Sequence, residues 1–429
     1  MIMNINYTKQ VWAHLRQDPL ISTISVLGTA LSIFLIMLVV MLQQVNVAPY
    51  SPESNRNRFL HASYLSTASC QDENQSTNNG PMSEQATKEL YSSLKTPESV
   101  TVYAFLCRPS VLSVSNAVSF VAQTKQTDDD FWRVFDFDFV NGKPYDKAAF
   151  KAGQHVVVVD ENVARKLYGD INVSGKDISL NHAPYKIVGV VKNVSTLASK
   201  AYGEIWIPYT ATNLVSRSSG AQGLLSVTIL AHHRTDFPAI VSEVNQRLTQ
   251  YNKKLKEQNI RILSRNRPYD QEKESINYSS NEEPDVTAMH RRQIIMIAIL
   301  LLVPAINLSS MTQSRLRKRI AEIGVRRAFG CTRMELLWNI LMENLAASLI
   351  AGVLGLILCV IFSFLFSDLI FAQPFSSGTL TVNASMLLQP STFALAFIFC
   401  FVLNLISSLI PAWRASHGNI VNALGGKTR

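Results

Sequence analysis

The residues of this chain that could do chemistry are few, and their spacing does not assemble a catalytic set. Gly425-Gly426-Lys427-Thr428 ends like a phosphate-binding loop, whose pattern is G-x-x-x-x-G-K-[ST]. The first glycine position is Val421 and no strand pattern precedes it, so the stretch reads as a tail. His232-His233 offers two imidazoles, but no HExxH or Cys/His cluster accompanies them, and a solvated turn is the simpler reading. Asp128-Asp129-Asp130 could hold a cation, although a short acidic run more often marks an exposed face or a helix start. No G-x-S-x-G nucleophile elbow occurs. The sequence names no catalytic residue, no metal ligand and no cofactor bound by this chain, and the expectation is a non-enzyme.

The composition points to a membrane instead. Of 429 residues, 47% are hydrophobic and only 17% charged, with a net charge of +9. Residues 44–290 hold 26 basic and 26 acidic residues, while the rest of the chain holds 14 and 5 and so carries the whole excess. A nucleic-acid binder concentrates such an excess in a folded domain. Here it borders long apolar runs, which excludes a purely soluble protein and gives no reason to expect a nucleic-acid partner. Crossing a bilayer takes roughly 20 apolar residues, and four stretches qualify: 20–42, 291–313, 344–366 and 393–411. The second contains Pro304 and Asn307 and has the shortest apolar run. The first is too long for a signal peptide and lacks a small-residue cleavage site, so it is read as an uncleaved helix.

The loop between the second and third stretches carries Arg315, Arg317, Lys318, Arg319, Arg326, Arg327 and Arg333. Each would cost about 2.5–3.5 kcal/mol at the bilayer centre, and the positive-inside rule makes this loop cytoplasmic. Counting outward puts both termini (1–19 and 412–429) in the cytoplasm, and residues 44–290 and the 367–392 loop outside. Arg291 and Arg292 dissent weakly. Small residues at helical spacing (Ser22, Ser25, Thr29 and Ser32; Ser348, Gly352, Gly355 and Cys359; Asn404, Ser407 and Pro411) mark faces for close packing, within the chain or between subunits. No ionisable residue lies deep in a span, which argues against an ion-driven transporter.

The expected fold is therefore an α-helical bundle of four transmembrane helices, one before and three after a large α+β extracytoplasmic domain with two subdomains. Within that domain we expect strands at 59–65, 100–106, 156–159, 205–208 and 260–263, the 205–208 strand lying at an edge. Helices are expected at 82–95 and, by the 3.6-residue period of Phe237, Ile240, Val241, Val244, Leu248, Tyr251 and Leu255, at 236–257. Residues 177–191 read as a hairpin, 66–80 as a loop and 265–287 as a polar linker. Cys70 and Cys107 are the two external cysteines, a candidate disulfide on thin grounds, since spacing says nothing about the Cα separation a bridge requires.

The segment 314–343 is the most informative. A basic helix ends at Gly330, and Thr332 with Glu335 forms a capping box for the next helix. Ile320, Ile323, Gly324 and Ala328 share one face. The residues alone leave two readings open: a helix lying on anionic lipid, or one docking into a protein groove.

The string EIGVRRAFGCTRMELL resembles the cytoplasmic signature of FtsX-like permeases, the membrane subunits of ABC systems of the MacB type. Pro411-Ala412-Trp413-Arg414-Ala415 with Asn422-Ala423-Leu424 is similar to that family's tail, and DDDFWRVFDFDFVNGKPY and YKIVGVVKNV to the MacB-type periplasmic core domain. The resemblance implies that Glu322, Ile323, Gly324, Arg326, Arg327, Ala328, Gly330 and Arg333 form a coupling helix for an ATPase. MacB carries a fused ATPase, whereas here a separate ABC ATPase chain is expected to hold ATP and Mg. The resemblance further implies a bacterial inner-membrane location and a homodimer or paralogue heterodimer. It also implies mechanotransmission to the periplasm, with export of a peptide, antibiotic or other periplasmic substrate through a periplasmic adaptor and outer-membrane partner. Lipoprotein extraction or activation of cell-wall hydrolases are alternative outputs, and a membrane sensor with an external ligand-binding domain is the rival class.

Overall fold

The computed structural model describes residues 19–71, 76–114, 119–215, 220–278, 280–318, 320–371 and 390–416. They divide into two compact units, one formed chiefly by Val45–Val286 and one by the helices on either side of it in sequence.

The Val45–Val286 unit begins with β1 (Phe59–Ala62), β2 (Leu65–Ser69), β3 (Thr77–Gly80), β4 (Ser99–Ala104), β5 (Arg108–Ser113) and β6 (Phe120–Thr127). It continues with β7 (Phe139–Gly142), β8 (Val156–Asp160), β9 (Asp177–Leu180), β10 (Ala183–Val191) and β11 (Ile205–Pro208). β12 (Leu225–Leu230), β13 (Ile260–Leu263) and β14 (Tyr269–Asp270) complete the set. β11, β8, β10, β9, β5 and β6 pair in that order, and β6 pairs back to β11, so six strands close into a barrel. Leu112, Ala122, Val157, Val159, Ile178, Leu180, Ile187, Val190, Ile205 and Ile207 form its apolar core. β8 is Val-Val-Val-Val-Asp and buried throughout, parallel to β10 and antiparallel to β11; a strand covered on both faces has no need of alternation. The helix Glu161–Tyr168 follows it directly, and β9 and β10 meet in a two-residue turn at Asn181-His182, both at positive φ.

The ladder runs on from β6 through β4, β12, β1 and β14. The helix Phe237–Leu255 belongs to this second core, where Ile240, Val244, Tyr251 and Leu255 pack with Leu60, Val102, Val227 and Ile229. A separate sheet of β13, β2 and β3 stands beside it in the same unit.

Five sequence expectations need correction here. The strand expected at 59–65 is two strands, and the expected loop 66–80 contains most of β2 and all of β3. β2 is Leu-Ser-Thr-Ala-Ser and β3 Thr-Asn-Asn-Gly, so neither shows the apolar alternation that reveals a strand, although β2 is largely buried. β11 is not an edge: it joins β8 to β6 and is buried along its length. Residues 265–287 are not a free linker, since β14 and the helix Gln271–Ser275 pack there through polar contacts. Cys70 and Cys107 are free thiols; Cys70 is exposed, and Cys107 donates to the Tyr202 carbonyl oxygen at 3.1 Å.

The other unit holds the long helices Pro19–Val47, Val286–Lys318, Arg333–Leu365 and Pro390–Ser416. Among the described residues, Val26–Val47 and Arg333–Leu365 are long and apolar enough to cross a membrane. The small-residue faces are used within the chain. Thr29, Ser348, Gly352, Gly355 and Cys359 are buried, Phe34 packs edge-on against Phe362 at 5.3 Å, and the Ser363 hydroxyl points at the Met41 sulfur at 3.3 Å.

Candidate functional site

The segment between the second and third long helices is built as its residues require. The helix Ile320–Ala328 ends where Gly330 takes φ +96°, and the Cys331 N–H reaches back to the Arg326 carbonyl at 3.0 Å. That is the glycine-terminated closure of a helix. Thr332 then caps Arg333–Leu365: its hydroxyl accepts from the Glu335 N–H at 3.2 Å, and its own N–H donates to the Glu335 carboxylate at 2.9 Å. The reciprocal box fixes the direction in which the next helix starts.

This frame sorts the residues that the family resemblance assigns to coupling. Ile323 packs against a cluster of Leu316, Leu336, Ile340 and Ala412, and Gly324 is buried, so both face the chain's own interior. Glu322 and Arg326 are exposed and paired at 2.6 Å, one turn apart. Ala328, Gly330 and Arg333 are exposed, and Arg327 lies on the same helix. Sequence reasoning passed over the apolar residues that the same frame leaves in the open: Phe329 is 89% exposed, Met334 74%, Trp338 60% and Val325 43%. Val325 and Phe329 are four residues apart, as are Met334 and Trp338, a spacing that could have been read as two short apolar rows. Arg319, Asn422-Ala423-Leu424 and Gly425 to Thr428 lie outside the described residues.

Two of the other chemistry-bearing residues of the sequence hold local structure together. Asp128 is buried and accepts from the Thr101 hydroxyl (2.6 Å) and the N–H groups of Val102 (2.7 Å) and Phe131 (3.0 Å). Burial pushes its carboxyl up to about 8. The FWRVFDFDF stretch behind it builds an aromatic cluster in which Trp132 packs edge-on against Tyr145, Phe137, Phe139 and Trp206. His233 begins a turn in which its N–H donates to Asp236 at 2.9 Å. Among the described residues no His, Cys, Asp or Glu cluster could hold a metal.

A buried ionic group that gives no sequence signal lies elsewhere in the Val45–Val286 unit. Arg56 and Glu53 pair at 2.7 Å with both side chains about 1% exposed. Burial opposes the ionisation of Glu53, and Arg56 with the Ala201 N–H overcomes it, holding the carboxyl below its usual range. His61, fully buried, is pushed down to about 4 by burial and by Lys200. An i,i+3 Glu–Arg pair reads identically in sequence whether it is exposed or enclosed, which is why this one went unseen.

Comparison with known proteins agrees with these two units. The MacB-like periplasmic core domain family matches residues 22–247, and the FtsX-like permease C-terminal family matches residues 294–420. The macrolide export ATP-binding/permease protein MacB of Bordetella avium (strain 197N) is 26% identical over 349 residues, covering 80% of this chain and 47% of that protein. The uncharacterized ABC transporter permease YknZ of Bacillus subtilis (strain 168) is 24% identical over 231 residues, 53% of this chain and 54% of that one. The chain spans about half the length of the curated relatives it matches. Among solved structures, the periplasmic region of MacB from Actinobacillus actinomycetemcomitans is similar at 17% identity and TM-score 0.32, over 47% of this chain and 88% of that one. With a core-domain match covering more than half its residues and a permease match over the helices that follow, the chain belongs to the MacB/FtsX-type family of ABC transporter permeases.

Proposed function

We propose that this chain is the membrane subunit of an ATP-driven system of the bacterial inner membrane, and that a separate ABC ATPase binds its 314–343 segment. The observation that carries the reading is the exposure of Phe329, Met334, Trp338 and Val325 on a frame locked by the Thr332–Glu335 box and by Ile323. Large apolar side chains held open on a rigid frame suit a protein partner. The partner holds ATP and Mg, and this chain performs no catalysis. In this reading four helices cross the bilayer, both termini are cytoplasmic, and two copies or a paralogue pair form the working dimer. Closure of the ATPase subunits moves the cytoplasmic frame and, through it, the external unit, which expels a peptide, antibiotic or other periplasmic substrate with the help of an adaptor and an outer-membrane partner.

The test is affinity purification of the tagged chain from native membranes in mild detergent, with the co-purifying proteins identified. An ABC-type ATPase should accompany the parent and be lost from Phe329→Ala and Glu322→Lys variants. Recovery without an ATPase, under conditions that preserve a known permease complex, would overturn the assignment and favour the sensor reading.

A further inference from the structure

One set of polar contacts in the Val45–Val286 unit joins the place where the chain enters it to the place where it leaves. At the leading end, the Arg56 guanidinium spends all its nitrogens at once. Its Nη1 donates to the carbonyl oxygens of Val45 (2.9 Å) and Ala48 (3.2 Å), its Nη2 to that of Leu197 (2.8 Å) and its Nε to Glu53. Val45 is among the last residues of the helix Pro19–Val47, whose final carbonyls have no partner inside the helix. A cation is the favoured cap there. The second Glu53 oxygen accepts from the backbone N–H groups of Lys200 (2.9 Å) and Ala201 (3.0 Å).

Lys200 carries the connection onward. Its Nζ reaches Glu274 at 2.5 Å and the Ser63 hydroxyl at 2.8 Å, and Glu274 sits on the helix Gln271–Ser275 at the trailing end. Beyond it, Arg267 donates to the Ser280 carbonyl oxygen at 2.8 Å, and Glu283 is held by Lys273 and by Asn266. The ties therefore extend to within three residues of Val286.

A second route runs beside the first without any charge. Tyr103, Thr228, His61 and Gln271 stand in line: Tyr103 Oη to Thr228 Oγ1 at 2.7 Å, Thr228 Oγ1 to His61 Nδ1 at 3.0 Å, and His61 Nε2 to Gln271 Oε1 at 2.8 Å. Gln271 Nε2 donates to the Asn46 carbonyl oxygen at 2.8 Å. The amide oxygen of Gln271 can only accept, which puts a proton on His61 Nε2; burial and Lys200 keep the ring neutral at pH 7, so Nδ1 accepts from the Thr228 hydroxyl and the chain has one direction. It links β4, β12 and β1 to both ends of the unit.

We propose that this double network is a latch that makes the leading and trailing ends of the unit a single rigid piece with its sheet, so that a displacement of either end moves the sheet instead of flexing the loops. Such a device is what mechanical transmission requires, but its test does not involve an ATPase and stands apart from the reading above.

The experiment is amide hydrogen exchange on the full chain in lipid nanodiscs. Gln271→Leu cuts the neutral route, and Lys200→Met with Glu274→Leu cuts the charged route while removing both charges. With all three substitutions, exchange at residues 45–50 and 271–283 should rise tenfold or more, well beyond the product of the separate effects, while β8 and β10 keep their protection. Gln271→Leu alone leaves every ion pair in place and should raise exchange at residues 45–48 at least threefold, which keeps the proposal testable if the triple variant does not fold. Unchanged exchange at residues 45–48 in Gln271→Leu would overturn the latch, and so would an equal rise across the whole unit.

Discussion

Gly355 lies directly against the main chain of Ala30: a Cβ at position 355 would stand 2.6 Å from the Ala30 carbonyl oxygen and 3.2 Å from the Cβ of Ile33. No side chain fits there unless the helix Arg333–Leu365 moves away from the helix Pro19–Val47. In lipid, where helices gain little from the hydrophobic effect, that closeness is a main source of their attraction. Gly355→Leu should destabilise the helix pair by about 1–3 kcal/mol, the usual cost of overpacking. The midpoint of unfolding in mild detergent reads this out, and an unchanged midpoint would show that the two helices separate freely.

Phe329 is so exposed that it stabilises nothing within its own chain. Phe329→Ala should therefore leave thermal stability unchanged and weaken ATPase retention tenfold or more, about 1.4 kcal/mol or greater, as truncation of an apolar anchor does. The Glu322–Arg326 pair, 42% exposed on each side, contributes only about 0.3–0.5 kcal/mol to the helix. Loss of the ATPase in Glu322→Lys would thus report on contact with the partner, provided circular dichroism shows the helix content intact. A larger residue at Gly324 would test packing within the chain and not docking, because Gly324 is buried by the chain itself.

Removing Arg56 strands a buried carboxylate. Arg56→Met should cost about 3–5 kcal/mol, whereas Arg56→Met combined with Glu53→Leu should recover much of that loss, since a buried pair is expensive chiefly when one partner is left alone. Chemical denaturation of the two variants and the parent gives the comparison, and equal losses in both variants would assign the effect to packing around the site instead.

Acid should loosen the same region. His61, ordinarily near 6.5, is pushed down to about 4 in the fold by burial and Lys200, so between those values the unfolded chain binds the extra proton. Its contribution is complete above pH 6.5 and is lost as the pH falls from about 6.5 through about 4, by about 3 kcal/mol in all. Protonated Nδ1 would also meet the Thr228 hydroxyl that now donates to it. Stability measured from pH 7.5 to 4 should fall more steeply for the parent than for His61→Gln, and identical slopes would remove His61 from the account.

Elements that stabilise themselves locally were legible in the sequence. The periodic helix Phe237–Leu255, the hairpin turn at Asn181-His182 and the Thr332–Glu335 box each carry their reason in consecutive residues. What escaped notice depends on distant partners. β11 has four residues and no alternation, and only its pairing with β6 and β8 makes it central. The 265–287 segment looked like a linker because its anchors are Arg267, Gln271, Lys273 and Glu274, residue types that read as solvated until their partners are placed. In the 314–343 segment the charged signature is legible, while Phe329 and Trp338 read as ordinary apolar positions because exposure is a property of the fold alone.

The ring formed by β11, β8, β10, β9, β5 and β6 has a further effect on how the molecule behaves in company. A closed ladder has neither a first nor a last strand, so these strands leave no row of free amides for a neighbour to copy. Among the described residues the edges that remain are short: two residues in β14, and four each in β3, β7 and β13. A sheet closed on itself in this way gives a neighbouring protein no template for strand addition.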